Sequence, residues 1–292
     1  TYIALTLAAR ATSTLKLGPG VTNALTRHPA VTAGAIASLQ EISGGRAMLG
    51  IGRGDSSLFN IGHKPVGLAP FEAYLRDLQI YLSGGTLDAN GYDSTLKWLP
   101  NMIQAKVPVD VAATGPKVIA IGARHAERVT FSVGASEERV QWALAHVRET
   151  LGPEVALPEM GLYLNVCVDD DIDRAAEMAR GWVGIFAHFT GMPGAPRDRV
   201  RQDDHHTFDR LGDYDKQRHG RPDAAHAQAL PLEFIQRFAI VGPPEACVER
   251  LNALCGLGVQ RLFLTFPRQD QFGDAARAVT ERFAREVLSQ IK

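Results

Sequence analysis

Four short segments combine glycine, small polar residues and a charge at spacings suited to holding a flat, phosphate-bearing ligand. The first is Gly18-Pro19-Gly20-Val21-Thr22-Asn23, running on into Arg27-His28-Pro29. Its glycines permit a positive φ or a close approach of the backbone to a ring. Asn23 adds an amide donor and a carbonyl acceptor. The second, Gly50-Ile51-Gly52-Arg53-Gly54-Asp55-Ser56-Ser57, looks like a dinucleotide fingerprint. The spacing is wrong for one, and the stretch 62–67 reads as loop rather than helix, so a Rossmann site is rejected. This Gly-rich, Asp-bearing strand end, with Gly52, Gly54 and Asp55, still suits backbone contact with a ring or sugar.

The third segment, Ala112-Ala113-Thr114-Gly115-Pro116-Lys117, places a helix start directly after a strand. Free N–H groups at the positive helix end, with Lys117 alongside, make a phosphate site. The fourth is Ser132-Val133-Gly134-Ala135, small residues closing a strand. Each segment also has a plain reading. The first is a tight strand-to-helix turn, and the third is a Thr N-cap with Pro at the first helical position.

Other chemistries find little support. Asp203-Asp204-His205-His206 holds metal-ligand residue types without the i, i+4 spacing of a zinc helix, so no metal is expected. The three cysteines, Cys167, Cys247 and Cys255, show no CxxC spacing and read as small buried hydrophobes. No GxSxG elbow is present.

The elements that would position these segments alternate between helix and strand. Helices are expected from residue 1 to about 13, at 29–43, 68–82, 116–124, 136–151, 171–189, 243–255 and 274–291. Strands are expected at 15–21, 46–52, 109–113, 128–133, 161–168 and 260–266. Alternation of this kind implies parallel βαβ units with ligands at strand C-termini. Residues 193–231 lose apolar periodicity and read as a surface insertion or lid on a single domain spanning 1–292.

The chain of 292 residues is 45% hydrophobic and 22% charged with a net charge of −1, which supports a folded core. That balance gives no basic footprint for nucleic acid. No apolar run approaches the ~20 residues that span a bilayer. A reduced, cytosolic α/β protein is expected.

Residues 15–57, LKLGPGVTNALTRHPAVTAGAIASLQEISGGRAMLGIGRGDSS, resemble the bacterial luciferase-like superfamily. The likeness is strongest to the branch that uses the deazaflavin coenzyme F420 (methylenetetrahydromethanopterin reductase-like). The resemblance is specific over 1–134 and architectural beyond it. It implies a TIM (β/α)8 barrel with an insertion, a cofactor at the C-terminal mouth and a homodimer. It implies that Gly20-Val21 form a bulge, often a cis peptide, behind the ring, and that Asn23 bonds the ring's polar edge. Gly52, Gly54 and Asp55 would line the ring. Ala113, Thr114, Gly115, Pro116 and Lys117 would take the phosphate, and Ser132, Val133 and Gly134 would make further contacts. Against the family plan the first βαβ unit is expected to be absent from this chain, and with it the catalytic acid or base. The activity implied is hydride transfer between F420 and a small organic substrate. Alternatives are an FMN monooxygenase using molecular oxygen and a non-catalytic flavin-binding barrel.

Overall fold

The computed structural model describes residues 1–191, 202–211 and 214–292. Parts of the expected insertion, 193–201 and 212–213, lie outside the described residues. The chain divides into two compact units, Thr1–Ala113 with Ala120–Val129, and Thr114–Ile119 with Thr130–Lys292.

The first unit runs α1 (Tyr2–Ala11), β1 (Thr22–Asn23), α2 (Pro29–Ser43), β2 (Leu49–Gly52), α3 (Ser56–Phe59) and α4 (Leu68–Leu82). A hairpin, β3 (Leu87–Ala89) and β4 (Tyr92–Ser94), precedes β5 (Val109–Ala113). Helix α2 begins as the sequence predicts: His28 Nδ1 accepts the Ala30 N–H at 3.2 Å and Pro29 takes the first turn. It stops at Gly44, whose φ of 65° suits glycine. The small-residue face Ala33, Ile36 and Ala37 is fully buried, so the helix lies close to its neighbours. Thr32 and Tyr74 of α4 share a 2.6 Å hydrogen bond on the same side.

Strands β1, β2 and β5 are parallel, with Asn23 opposite Gly52 and Ile51 opposite Val111. The predicted strand at 15–21 is shorter than expected and displaced. Only Leu17 bridges to Ala47, and the ladder begins at Thr22. Pro19 supplies no N–H to continue the pairing from Leu17. The hairpin was not anticipated, although its Asn90-Gly91 turn, with φ of 56° and 83°, carries the usual signal for one.

Arg46 fastens this unit together. Its guanidinium donates to the carbonyls of Ala9 (2.8 Å), Thr12 (2.9 Å), Leu15 (2.6 Å) and Ser43 (2.7 Å). Those carbonyls belong to the end of α1, the chain after it and the end of α2, so one cation closes two helix termini. Arg46→Ala is expected to cost about 2–3 kcal/mol in urea unfolding, the scale of losing charge-assisted hydrogen bonds. A change below about 0.5 kcal/mol would show that water replaces the clamp without loss.

Helix α5 (Pro116–His125) and strand β6 (Arg128–Phe131) contribute residues to both units. The second unit continues with α6 (Glu137–Leu151), β7 (Glu159–Val168), α7 (Ile172–Gly191), α8 (Gln202–Arg210) and α9 (Ala225–Gln228). It closes with α10 (Leu232–Phe238), β8 (Ile240–Gly242), α11 (Pro244–Gly256), β9 (Arg261–Thr265) and α12 (Gln269–Glu286). β7 pairs in parallel with β9 along Gly161 to Asn165, and with β8 along Val166 to Val168. Three-residue β8 is too short for periodicity to reveal.

The region expected to be structureless contains helices α8 and α9 among its described residues. It is also tied down. Arg180 of α7, buried and paired with Glu177 at 2.6 Å, donates to the carbonyls of Ala227 (2.8 Å) and Leu230 (2.6 Å). Phe208, Phe234 and Phe238 join the core around α7, which compensates for the polar sequence. Among the described residues no helix is long and apolar enough to cross a membrane. No group of three His, Cys, Asp or Glu side chains among them could hold a metal ion.

Candidate functional site

In the first unit the structure gathers the predicted glycines around the start of β1 and the end of β2: Gly18 and Gly20 precede β1, Gly50 and Gly52 lie in β2, and Gly54 follows it. The Gly20–Val21 peptide is cis. Val21 is 42% exposed, and its Cγ2 lies 3.5 Å from where a Cβ on Gly52 would sit, with Ala112 Cβ at 3.8 Å from the same point. A Cβ on Gly50 would stand 2.3 Å from the Pro19 carbonyl oxygen. The strand ends therefore approach closely only because side chains are missing. The outcome is an apolar, backbone-walled surface with Val21 open upon it.

Asn23 and Gly54 belong to the same cluster. Gly54 has a φ of 80°, and its missing Cβ would meet Leu58 at 2.6 Å and Asn23 Cβ at 3.3 Å. This turn delivers Asp55 to the start of α3, where its carbonyl accepts the Leu58 and Phe59 N–H groups at 3.0 and 2.9 Å. A single helical turn thus follows the glycines directly, where no helix was expected, while 62–67 is free of helix and strand as the sequence suggests. Asn23 has one of its two functions already committed. Its Oδ1 accepts from Leu25 N (3.0 Å), Thr26 N (3.0 Å) and Thr26 Oγ1 (3.2 Å). The Nδ2 amide is the donor left for a ligand, so Asn23 can recognise an acceptor and not a donor.

In the second unit, Thr114 to Lys117 open α5. A Cβ on Gly115 would meet nothing within 4 Å, so the space beside this turn is open. Among the described residues the Thr114 side chain makes no hydrogen bond that would cap the helix, and exposed Lys117 makes no ion pair. Pro116 has no N–H and Val118 donates to the Gly115 carbonyl at 3.1 Å, so the Gly115 and Lys117 N–H groups and one ammonium are what the start of this ten-residue helix leaves for an anion. His146 Nε2 meets the Pro116 carbonyl at 3.0 Å and steadies the turn.

Ser132, Val133 and Gly134 are all buried. The Ser132 carbonyl accepts from Thr190 Oγ1 at 3.1 Å, and the Val133 carbonyl accepts from Arg139 Nε at 3.2 Å. Gly134, with φ of 80°, leaves room for the Phe238 ring, which a Cβ would approach to 2.8 Å. Val133 lines a cavity of ≈ 1140 Å³ that also includes Arg139, Phe208, Phe238 and Arg237. Arg139 was not singled out from sequence. The available signal was a cation in the first turn of α6, where the helix dipole disfavours positive charge.

Parallel strands alternating with helices place the chain in the α/β class. The chain belongs to the luciferase-like monooxygenase family, which it matches over residues 1–261. It is 29% identical over 316 residues to the 5,10-methylenetetrahydromethanopterin reductase of Archaeoglobus fulgidus, covering 100% of this chain and 87% of that protein. In structure it resembles the coenzyme F420-dependent tetrahydromethanopterin reductase of Methanopyrus kandleri, with a TM-score of 0.73 at 23% identity, over 100% of this chain and 87% of the other. It also resembles the FMN-bound oxygenating component of 3,6-diketocamphane monooxygenase from Pseudomonas putida, with a TM-score of 0.64 at 16% identity, covering 100% and 84%. The fold class is the TIM barrel of the luciferase-like type.

Proposed function

We propose that this protein is an oxidoreductase that moves a hydride between coenzyme F420 and a carbon centre of a small organic substrate. The observation that carries the reading is the surface built by Val21, Gly50 and Gly52 with the Asn23 Nδ2 donor at its edge. A planar heteroaromatic ring needs an apolar face at backbone distance and a donor for its carbonyl edge, and this cluster supplies both. The start of α5 fits a phosphate, since Gly115 leaves open space and no side chain among the described residues caps the helix.

In this reading Gly20, Val21, Asn23, Gly52, Gly54 and Asp55 hold the ring. Ala113, Thr114, Gly115, Pro116 and Lys117 hold the phosphate. Ser132, Val133 and Gly134 shape the surroundings from within the core. When bound, F420 supplies two-electron hydride chemistry, and the protein supplies orientation and exclusion of water. Val21 fixes which ring face is covered, and Asn23 fixes the ring's direction. The relatedness to a methylenetetrahydromethanopterin reductase at 29% identity, together with the likeness to a coenzyme F420-dependent reductase, supports this cofactor. The test is a fluorescence titration of F420 with the protein. Saturable binding in the micromolar range is expected, and no saturation would remove the reading.

A second reading keeps the fold and replaces F420 by FMN, giving a monooxygenase. It is favoured by the likeness to an FMN-bound monooxygenase. Both cofactors present a ring and a phosphate, so neither cluster by itself tells them apart.

A further inference from the structure

The cavity of ≈ 1140 Å³ in the second unit is lined by a guanidinium that forms no ion pair among the described residues. Arg139 lines it and is only 4% exposed. Its Nε bonds the Val133 carbonyl, but Nη1 and Nη2 have no hydrogen-bond partner among the described residues. The Phe208 ring lies 6.0 Å from the guanidinium carbon. Burial alone pulls the Arg139 side chain down to about 10, which leaves it cationic at neutral pH.

The other charges around the cavity are committed or exposed. Arg237 pairs with Asp204. Arg250 donates to the carbonyls of Gln236 (2.8 Å), Arg237 (2.9 Å) and Ala239 (2.6 Å). Glu137 and Glu138 are exposed, in the first turn of α6. Ser136 spends its hydroxyl on Glu138 at 2.6 Å, so it does not cap that helix. A buried guanidinium with its outer nitrogens unused is costly unless an anion completes it. Phe208, Phe234 and Phe238 give the same cavity an aromatic wall.

We propose that this cavity is an oxyanion-binding site, in which Arg139 takes the carboxylate or phosphate of a small acid whose apolar body rests on Phe208, Phe234 and Phe238. The site does not depend on which redox cofactor the protein carries, so its test is run on the cofactor-free protein.

Benzoate, phenyl phosphate and inorganic phosphate are titrated calorimetrically, with benzamide as the neutral analogue of benzoate. The wild type should bind benzoate or phenyl phosphate at least about tenfold more tightly than benzamide, one charge-assisted hydrogen bond's worth of preference. Whichever of the two binds more tightly identifies the head group, and inorganic phosphate should bind more weakly for lack of the aromatic body. Arg139→Met should erase the preference for the charged probes without lowering the urea midpoint, because it removes an uncompensated charge. Arg139→Lys should retain a reduced preference. The proposal falls if no charged probe outbinds benzamide at roughly 10 mM, a generous limit for weak sites. It falls equally if the Met variant binds as the wild type does. A Met variant that loses its cooperative unfolding would show that Arg139 is structural, and would also overturn it. None of these outcomes bears on F420 binding, which is read by its own fluorescence.

Discussion

Gly50→Ala should abolish tight cofactor binding while leaving a folded protein. The added Cβ would lie 2.3 Å from the Pro19 carbonyl oxygen and 3.2 Å from Val21 Cγ1, and the first of these is backbone. The segment from Pro19 to Val21 must then move, and it is the segment proposed to carry the ring. Overpacking at a rigid site costs about 1–3 kcal/mol. If that displacement is borne by the ring surface, affinity falls about tenfold to a hundredfold. Gly34→Ala is the matched control. It sits within α2, where a Cβ would meet nothing within 4 Å, and alanine should stabilise the helix by up to ~1 kcal/mol. F420 titration and urea unfolding of both variants check the result. Unchanged affinity in Gly50→Ala would mean that the ring lies elsewhere.

Gly115→Val should separate the phosphate from the ring. Its Cβ has open space, so the fold should be retained, but the branched side chain would occupy the volume proposed for the phosphate. Losing charge-assisted hydrogen bonds from the helix start should weaken the phosphate-bearing cofactor by about tenfold to a hundredfold. The phosphate-free analogue should bind within about twofold of its wild-type affinity, since it has no group to lose there. Lys117→Ala should act in the same direction more weakly, and its effect should shrink as salt is added, because the side chain is exposed. Equal losses for both ligands in Gly115→Val would place the phosphate away from α5.

Much of the first unit could be read in the sequence because its determinants are local. His28-Pro29 and Gly44-Gly45 bound α2, and the glycines at 50, 52 and 54 announce close backbone approach. What escaped was set by contacts distant in sequence, or by competition for a single atom. Asn23 has a free donor, but its acceptor is consumed by Leu25 and Thr26, which residue type alone does not reveal. The strand expected at 15–21 gave way to one bridge and a later ladder because Pro19 interrupts pairing. In the second unit Gly134 looked like a ligand contact, and it is also the gap into which Phe238 fits from over a hundred residues away. The polar stretch near 202–230 looked structureless because the carbonyls it offers are satisfied by Arg180 on another helix.

The deazaflavin is the ring proposed to be native to this protein. The most direct measurement loads the protein with F420 and challenges it with equimolar FMN under air, following F420 fluorescence and oxygen consumption together. F420 should remain bound, and once unbound FMN and excess reductant are removed, the reduced F420 should be reoxidised only when an organic acceptor is added, with no uptake of oxygen. Displacement of F420 by equimolar FMN, followed by oxygen consumption on reduction of the bound flavin, would contradict the account and establish the monooxygenase reading instead.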